Sequence, residues 1–163
     1  MPNIRVITLD LWQTLIIDRP ELGRNRMKYR IKSTFDALRE AEENFTEEQI
    51  TNGYINCYYE CRGIREKGKD ISFNDQIRIF INYVDKGLLS RINKDTLAKI
   101  EAKYANSFYR SPPKLVHGVK EMLAILKDHG YSLGLISNTA MTPGSIFRTY
   151  MENLDILYYF DLL

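Results

Sequence analysis

Asp10 and Thr14 stand four residues apart in Ile7-Thr8-Leu9-Asp10-Leu11-Trp12-Gln13-Thr14-Leu15, a carboxylate and a hydroxyl directly after an apolar run. An ionised carboxylate serves as a nucleophile or as an oxygen ligand for a hard cation. A tight loop between them would bring the Thr14 hydroxyl and several backbone N–H groups near Asp10, a nest suited to an anion. A second polar pair, Ser137 and Asn138, closes another apolar run, Tyr131-Ser132-Leu133-Gly134-Leu135-Ile136. The plainer alternative is a core strand that ends in a turn-forming Asp. Cys57 and Cys61 have a spacing that puts both thiols on one helix face, but that face is the apolar one. Buried free cysteine is common, and His117 and His129 lie far off in sequence, so the pair reads as packing rather than a metal site.

These groups need elements to hold them. Residues 4–9 are short, β-branched and mostly apolar, which suits a strand buried on both faces of a parallel sheet. At the carboxyl end of such a strand, Asp10 occupies the place where open α/β sheets bind ligands. From about residue 23 to 109 the pattern is helical. Met27, Ile31, Phe35 and Leu38 make one stripe. Thr46-Glu47-Glu48-Gln49 has the form of a capping box and opens a second helix expected to end near Gly63. Ser72 starts a third, expected to stop at Gly87, and a fourth covers roughly 94–109. Four amphipathic helices with short connections form a small bundle.

Ser111-Pro112-Pro113 ends that run. Val116, Val119, Met122, Leu123 and Leu126 then line a helix that closes at Gly130. The 131–136 strand follows, then a helix over 144–153, then residues 156–160 as a short third strand. Strand, helical excursion, helix, strand, helix, strand implies a parallel sheet. The fold class is therefore α/β, a partial Rossmann-like parallel sheet with an inserted helical bundle. Residues 1–17 and 112–163 are assigned to the sheet domain and 18–111 to the bundle.

The chain has 163 residues, 44% hydrophobic and 27% charged, and a net charge of +2 with acids and bases interspersed. That balance does not point to nucleic acid. No apolar run approaches the ~18 residues of a membrane span, and no signal-peptide pattern opens the chain. A cytoplasmic protein acting on a small anionic substrate is expected, without nucleic-acid or membrane partners. Self-association through an exposed sheet edge is an open expectation.

Taken together, Asp10-Leu11-Trp12-Gln13-Thr14-Leu15 and Leu133-Gly134-Leu135-Ile136-Ser137-Asn138 resemble the first two motifs of the haloacid dehalogenase-like hydrolase superfamily. The helical insertion after the first motif resembles that superfamily's helical cap. The resemblance implies that Asp10 is the nucleophile of a covalent aspartyl intermediate. It implies Mg²⁺ held by the Asp10 carboxylate and the Trp12 backbone carbonyl. Thr14, Ser137 and Asn138 would contact the transferring group or orient the nucleophile, with Trp12 beside the substrate.

Two departures shape the functional reading. Phosphatases of the superfamily carry a second Asp where this chain has Trp12, and indole cannot transfer that proton. A missing general acid–base typically costs ~10²–10⁴ in rate. Dehalogenase-type members accept an aromatic there because a halide leaves without a proton, and they often work without metal. The superfamily's later lysine and acidic motifs have no counterpart before Leu163; Lys114 and Lys120 read as surface groups. The chain is therefore expected to be the N-terminal part of a longer enzyme. A phosphatase acting on a small phosphorylated metabolite leads; a 2-haloacid dehalogenase or a non-catalytic interaction module are the alternatives.

Overall fold

A computed structural model describes residues 4–163. In chain order the elements are β1 (Val6–Leu9), β2 (Ile16–Ile17), α1 (Pro20–Glu40), α2 (Glu47–Glu66), α3 (Phe73–Val84), α4 (Leu88–Arg91) and α5 (Lys94–Asn106). They continue with β3 (Lys114–Leu115), α6 (Val119–Asp128), β4 (Ser132–Leu135) and α7 (Gly144–Asn153). The protein is an α/β chain with a small parallel sheet and a helical insertion. It divides into two compact units. One comprises the N-terminal stretch through Gly23 with Ser111–Leu163, and the other Arg24–Arg110.

In the first unit β1 and β4 pair in parallel, from Val6 opposite Ser132 to Leu9 opposite Leu135. Burial along β1 alternates, with Val6 and Thr8 exposed and Ile7 and Leu9 half-buried. That period-2 pattern marks a strand covered on one face. It corrects the expectation of burial on both faces: Ile4 is 68% and Val6 53% exposed. α6 ends as the sequence predicts, with Gly130 in the left-handed region at φ +80°. Near its C-terminus Lys127 reaches the Asp161 carboxylate at 2.8 Å, and the same carboxylate accepts the Leu133 N–H.

The third strand expected over 156–160 is instead a 3₁₀ turn, Leu157–Tyr159. Asp155, at φ +52°, turns the chain back after α7. Ile156 and Phe160 are then buried while Tyr158 between them is 71% exposed. A strand would bury i, i+2 and i+4 together, so Tyr158 in water between two buried positions breaks the alternation. Only afterwards does the chain reach β4, through a single bridge between Leu162 and Gly134. β2 and β3 form an antiparallel pair, Ile16 opposite Leu115 and Ile17 opposite Lys114, that two-residue runs do not announce in sequence.

The second unit is all helix. The capping box at Thr46 and Gln49 is closed in both directions, by bonds of 3.2 and 2.8 Å. α2 runs through Gly63 to Glu66 rather than ending there, with Gly68 (φ +72°) beyond its C-terminus. An interior glycine costs ~1 kcal/mol, less than the burial of the stripe Ile50, Tyr54, Cys57 and Cys61 returns. α3 starts at Ser72, whose hydroxyl accepts the Asp75 N–H. It stops at Val84 rather than Gly87, because Asp85 turns extended and its carboxylate accepts the Gly87 N–H at 2.9 Å. Arg91 of the one-turn α4 joins Asp85 to Glu43. Ile77, Phe80, Ile81, Leu88 and Phe108 are fully buried. Arg30 donates to the Ser107 hydroxyl at 2.7 Å and stacks 4.4 Å over the Tyr104 ring. Cys57 and Cys61 are both buried, 3.8 Å apart, and burial pushes both thiols up.

Candidate active site

β1 delivers the chain into a tight loop. The Leu11 carbonyl accepts from the N–H groups of Leu15 and Ile16, both at 3.0 Å. Leu11, Leu15 and Ile16 are at most 2% exposed and anchor the loop from below. Gln13 sits in the left-handed region at φ +62°, which costs a non-glycine residue of order 1–3 kcal/mol. Two bonds hold it there: its N–H to the Ile16 carbonyl at 2.8 Å and its side-chain amide to the Asp18 carbonyl at 2.7 Å. Sequence reasoning missed this residue, since glutamine carries no signal for that conformation.

Buried anchors below and a strained turn between leave Asp10 and Thr14 exposed above. The Thr14 hydroxyl lies 3.5 Å from Asp10 Oδ2. At that outer limit of hydrogen bonding it orients the carboxylate more than it holds it. Trp12 is half-buried, its ring meeting Phe147 of α7 edge-on at 5.6 Å. Phe147 is a second position that sequence did not single out.

The other polar pair leaves the neighbouring strand end. The Ile136 N–H donates to the Leu9 carbonyl at 2.9 Å, which carries the parallel pairing one residue past the strands. Asp10 and Ser137 thus follow directly on adjacent, paired strand ends. Ser137 is half-buried. Asn138 has a different occupation: its side-chain oxygen accepts the Ala140 N–H at 2.8 Å, an Asx turn that lets Ala140 adopt φ +48°. Lys114 is exposed on β3, and Lys120 faces Asp155 at 3.4 Å.

A hard cation at this loop would have to be held by the Asp10 carboxylate and the Trp12 carbonyl, the two oxygens the sequence motif offers. Among the described residues no group of three or more His, Cys, Asp and Glu gathers as a metal cage. The set fits a magnesium ion that keeps several waters and shares a substrate's phosphate oxygens, as that ion commonly does.

The family model of haloacid dehalogenase-like hydrolases matches residues 61–163. Two solved structures illustrate the likeness. YfnB of Bacillus subtilis, described as a HAD-hydrolase and bound to magnesium, is 14% identical with a TM-score of 0.52, covering 99% of this chain and 63% of its own. A Haemophilus somnus protein predicted to be a phosphoglycolate phosphatase is 17% identical with a TM-score of 0.49, covering 99% and 62%. The chain thus spans a little over 60% of the length of these relatives. No curated protein matches it. Among the described residues no helix is long and apolar enough to cross a membrane.

Proposed function

The chain belongs to the haloacid dehalogenase-like hydrolases, and on that premise we propose that it hydrolyses a small phosphorylated metabolite with Asp10 as nucleophile. The observation that carries this reading is the exposed Asp10 carboxylate at the end of β1, with the Thr14 hydroxyl 3.5 Å from one of its oxygens. With Oδ2 oriented, the second oxygen attacks phosphorus as the P–O bond to the leaving group breaks, and the departing oxygen takes its proton from solvent. Water then attacks the aspartyl phosphate and returns the carboxylate. The Ser137 hydroxyl, on the neighbouring strand end, donates to a phosphoryl oxygen. Magnesium, when bound by Asp10 and the Trp12 carbonyl, supplies screening between two anions. Arg24–Arg110 takes the role of the cap and residues through Gly23 with Ser111–Leu163 that of the catalytic core. The site operates in the cytoplasm.

Trp12 supports a second reading. It stands where a proton donor would serve an alkoxide leaving group, and its ring packs on Phe147. Leaving groups that need no proton are therefore favoured, aryl phosphates over alkyl phosphates, and halide from a 2-haloacid. The test measures p-nitrophenyl phosphate turnover with magnesium and halide release from 2-chloropropionate, for the chain and for Asp10→Asn. Asp10→Asn is expected to lose activity on the order of 10³-fold or more. Equal rates would remove Asp10 from the mechanism, and halide release without phosphate release would move the chain to the dehalogenase reading.

A further inference from the structure

Among the described residues four that are not glycine sit in the left-handed region: Gln13, Glu42, Ala140 and Asp155. Glu42 and Asp155 close α1 and α7 in the ordinary way of a helix C-terminus. There the Glu43 N–H donates to the Leu38 carbonyl and the Ile156 N–H to the Met151 carbonyl. Gln13 and Ala140 close no helix. Each stands three residues past the polar group at a paired strand end, Gln13 after Asp10 and Ala140 after Ser137. Backbone strain of this kind persists only where the surroundings hold it, and it gathers at functional sites. Glycine would make the turn at position 13 without strain. Glutamine instead brings an amide, which donates to the Asp18 carbonyl at 2.7 Å. Asp18 directly follows β2, and β2 is itself fixed: Ile16 and Ile17 pair with β3, and the Val116 N–H donates to the Leu15 carbonyl at 2.9 Å. The Gln13 side chain thus ties an exposed loop tip to an anchored strand end.

We propose that Gln13 is the positioning residue of the Asp10 loop, its side-chain amide holding the turn that keeps the Thr14 hydroxyl on the Asp10 carboxylate. This role rests on the reading of Asp10 as nucleophile. Thr14 is the next residue, so the backbone angle at Gln13 sets the path on which that hydroxyl arrives. The contact has no slack. At 3.5 Å it already lies at the outer limit of a hydrogen bond, and a small relaxation of the turn ends it. Without the amide, the Gln13 N–H on the Ile16 carbonyl is left to hold the strained angle. The net worth of one neutral hydrogen bond corresponds to about 2- to 12-fold in rate.

Two variants of the 163-residue chain separate the tie from the bulk of the side chain. Gln13→Met keeps the length and removes the donor; Gln13→Lys keeps a donor. ¹⁵N relaxation reads the loop without requiring turnover. In Gln13→Met the heteronuclear NOE of the Trp12 and Thr14 amides is expected to drop while the amides of α6 stay as in the parent, and Gln13→Lys is expected to restore it. With p-nitrophenyl phosphate and magnesium, Gln13→Met should lower kcat about 2- to 12-fold with KM unchanged, and Gln13→Lys should recover most of it. Trp12 and Thr14 amides as rigid in Gln13→Met as in the parent overturn the proposal. So does a loosened loop that Gln13→Lys leaves loose, or one that turns over at the parental kcat. Should Asp10→Asn prove as active as the parent, the nucleophile reading fails, and the relaxation data still decide whether Gln13 holds the turn.

Discussion

Two glycines on α2 predict opposite outcomes for the same substitution. A methyl added at Gly63 meets nothing within 4 Å, and the residue lies inside a 20-residue helix. Gly63→Ala is therefore expected to stabilise the protein by the propensity difference, ~1 kcal/mol, part of it by restricting the unfolded chain. A methyl at Gly53 would stand 2.7 Å from Val84 Cγ2, 3.0 Å from the Val84 nitrogen and 3.3 Å from the Tyr83 carbonyl carbon. Valine is stiff at χ1, and the backbone atoms yield only if α3 moves off α2. Overpacking of this kind costs ~1–3 kcal/mol. The same ~1 kcal/mol of propensity offsets part of it, which leaves Gly53→Ala neutral to about 2 kcal/mol destabilised. The two variants should thus differ by ~1–3 kcal/mol, roughly 1 M in urea midpoint at ordinary m-values. Urea titration followed at 222 nm reads the helical unit directly. A Gly53→Ala midpoint equal to or above that of Gly63→Ala would refute the close packing of α2 on α3.

The remaining predictions concern the sheet unit. The Lys127 ammonium, with the Leu133 N–H, holds the Asp161 carboxyl below its ordinary value of 3.8. A depressed folded-state pKa contributes stability above the unfolded value and loses it as pH falls through the folded one. The urea midpoint of the parent should therefore exceed that of Asp161→Asn at pH 6, and the gap should close as pH drops below 3.8; a gap independent of pH would refute the linkage. Thr14→Val keeps shape and removes the hydroxyl that lies 3.5 Å from Asp10. A bond that long is worth about 1 kcal/mol, so kcat should fall roughly fivefold with KM unchanged. No change in steady-state phosphatase kinetics would show that the carboxylate needs no orienting.

What was legible in the sequence is what local chemistry decides. Thr46 with Gln49, Ser72, and Gly130 mark helix ends because a cap needs only its own turn, and each stands where expected. Gly63 misleads because a glycine's helical cost is small beside stripe burial, and stripe burial is tertiary. The 156–160 run misleads for a related reason. Five apolar and aromatic residues satisfy strand and turn alike, and Asp155 in the left-handed region decides between them. At the candidate site, Asp10 with Thr14 could be read from type and spacing. The partners of the other residues could not: Asn138 gives its side-chain oxygen to the Ala140 turn, Trp12 meets Phe147, and Gln13 is held by bonds to Ile16 and Asp18. Each depends on where the chain returns, and no periodic pattern encodes that.

The pairing of Leu9 with Leu135 has a consequence for a chain made from its N-terminus. Four residues of β1, two of them facing water, cannot hold their shape alone. The helical unit, compact by itself, is complete in the nascent chain while Asp10 still awaits a neighbouring strand. Ring closure over so long a span is slow, so Asp10 gains its neighbouring strand end only after the helical unit has condensed. A ribosome that stalls before residue 132 would release well-formed helices and an aspartate with nothing opposite it.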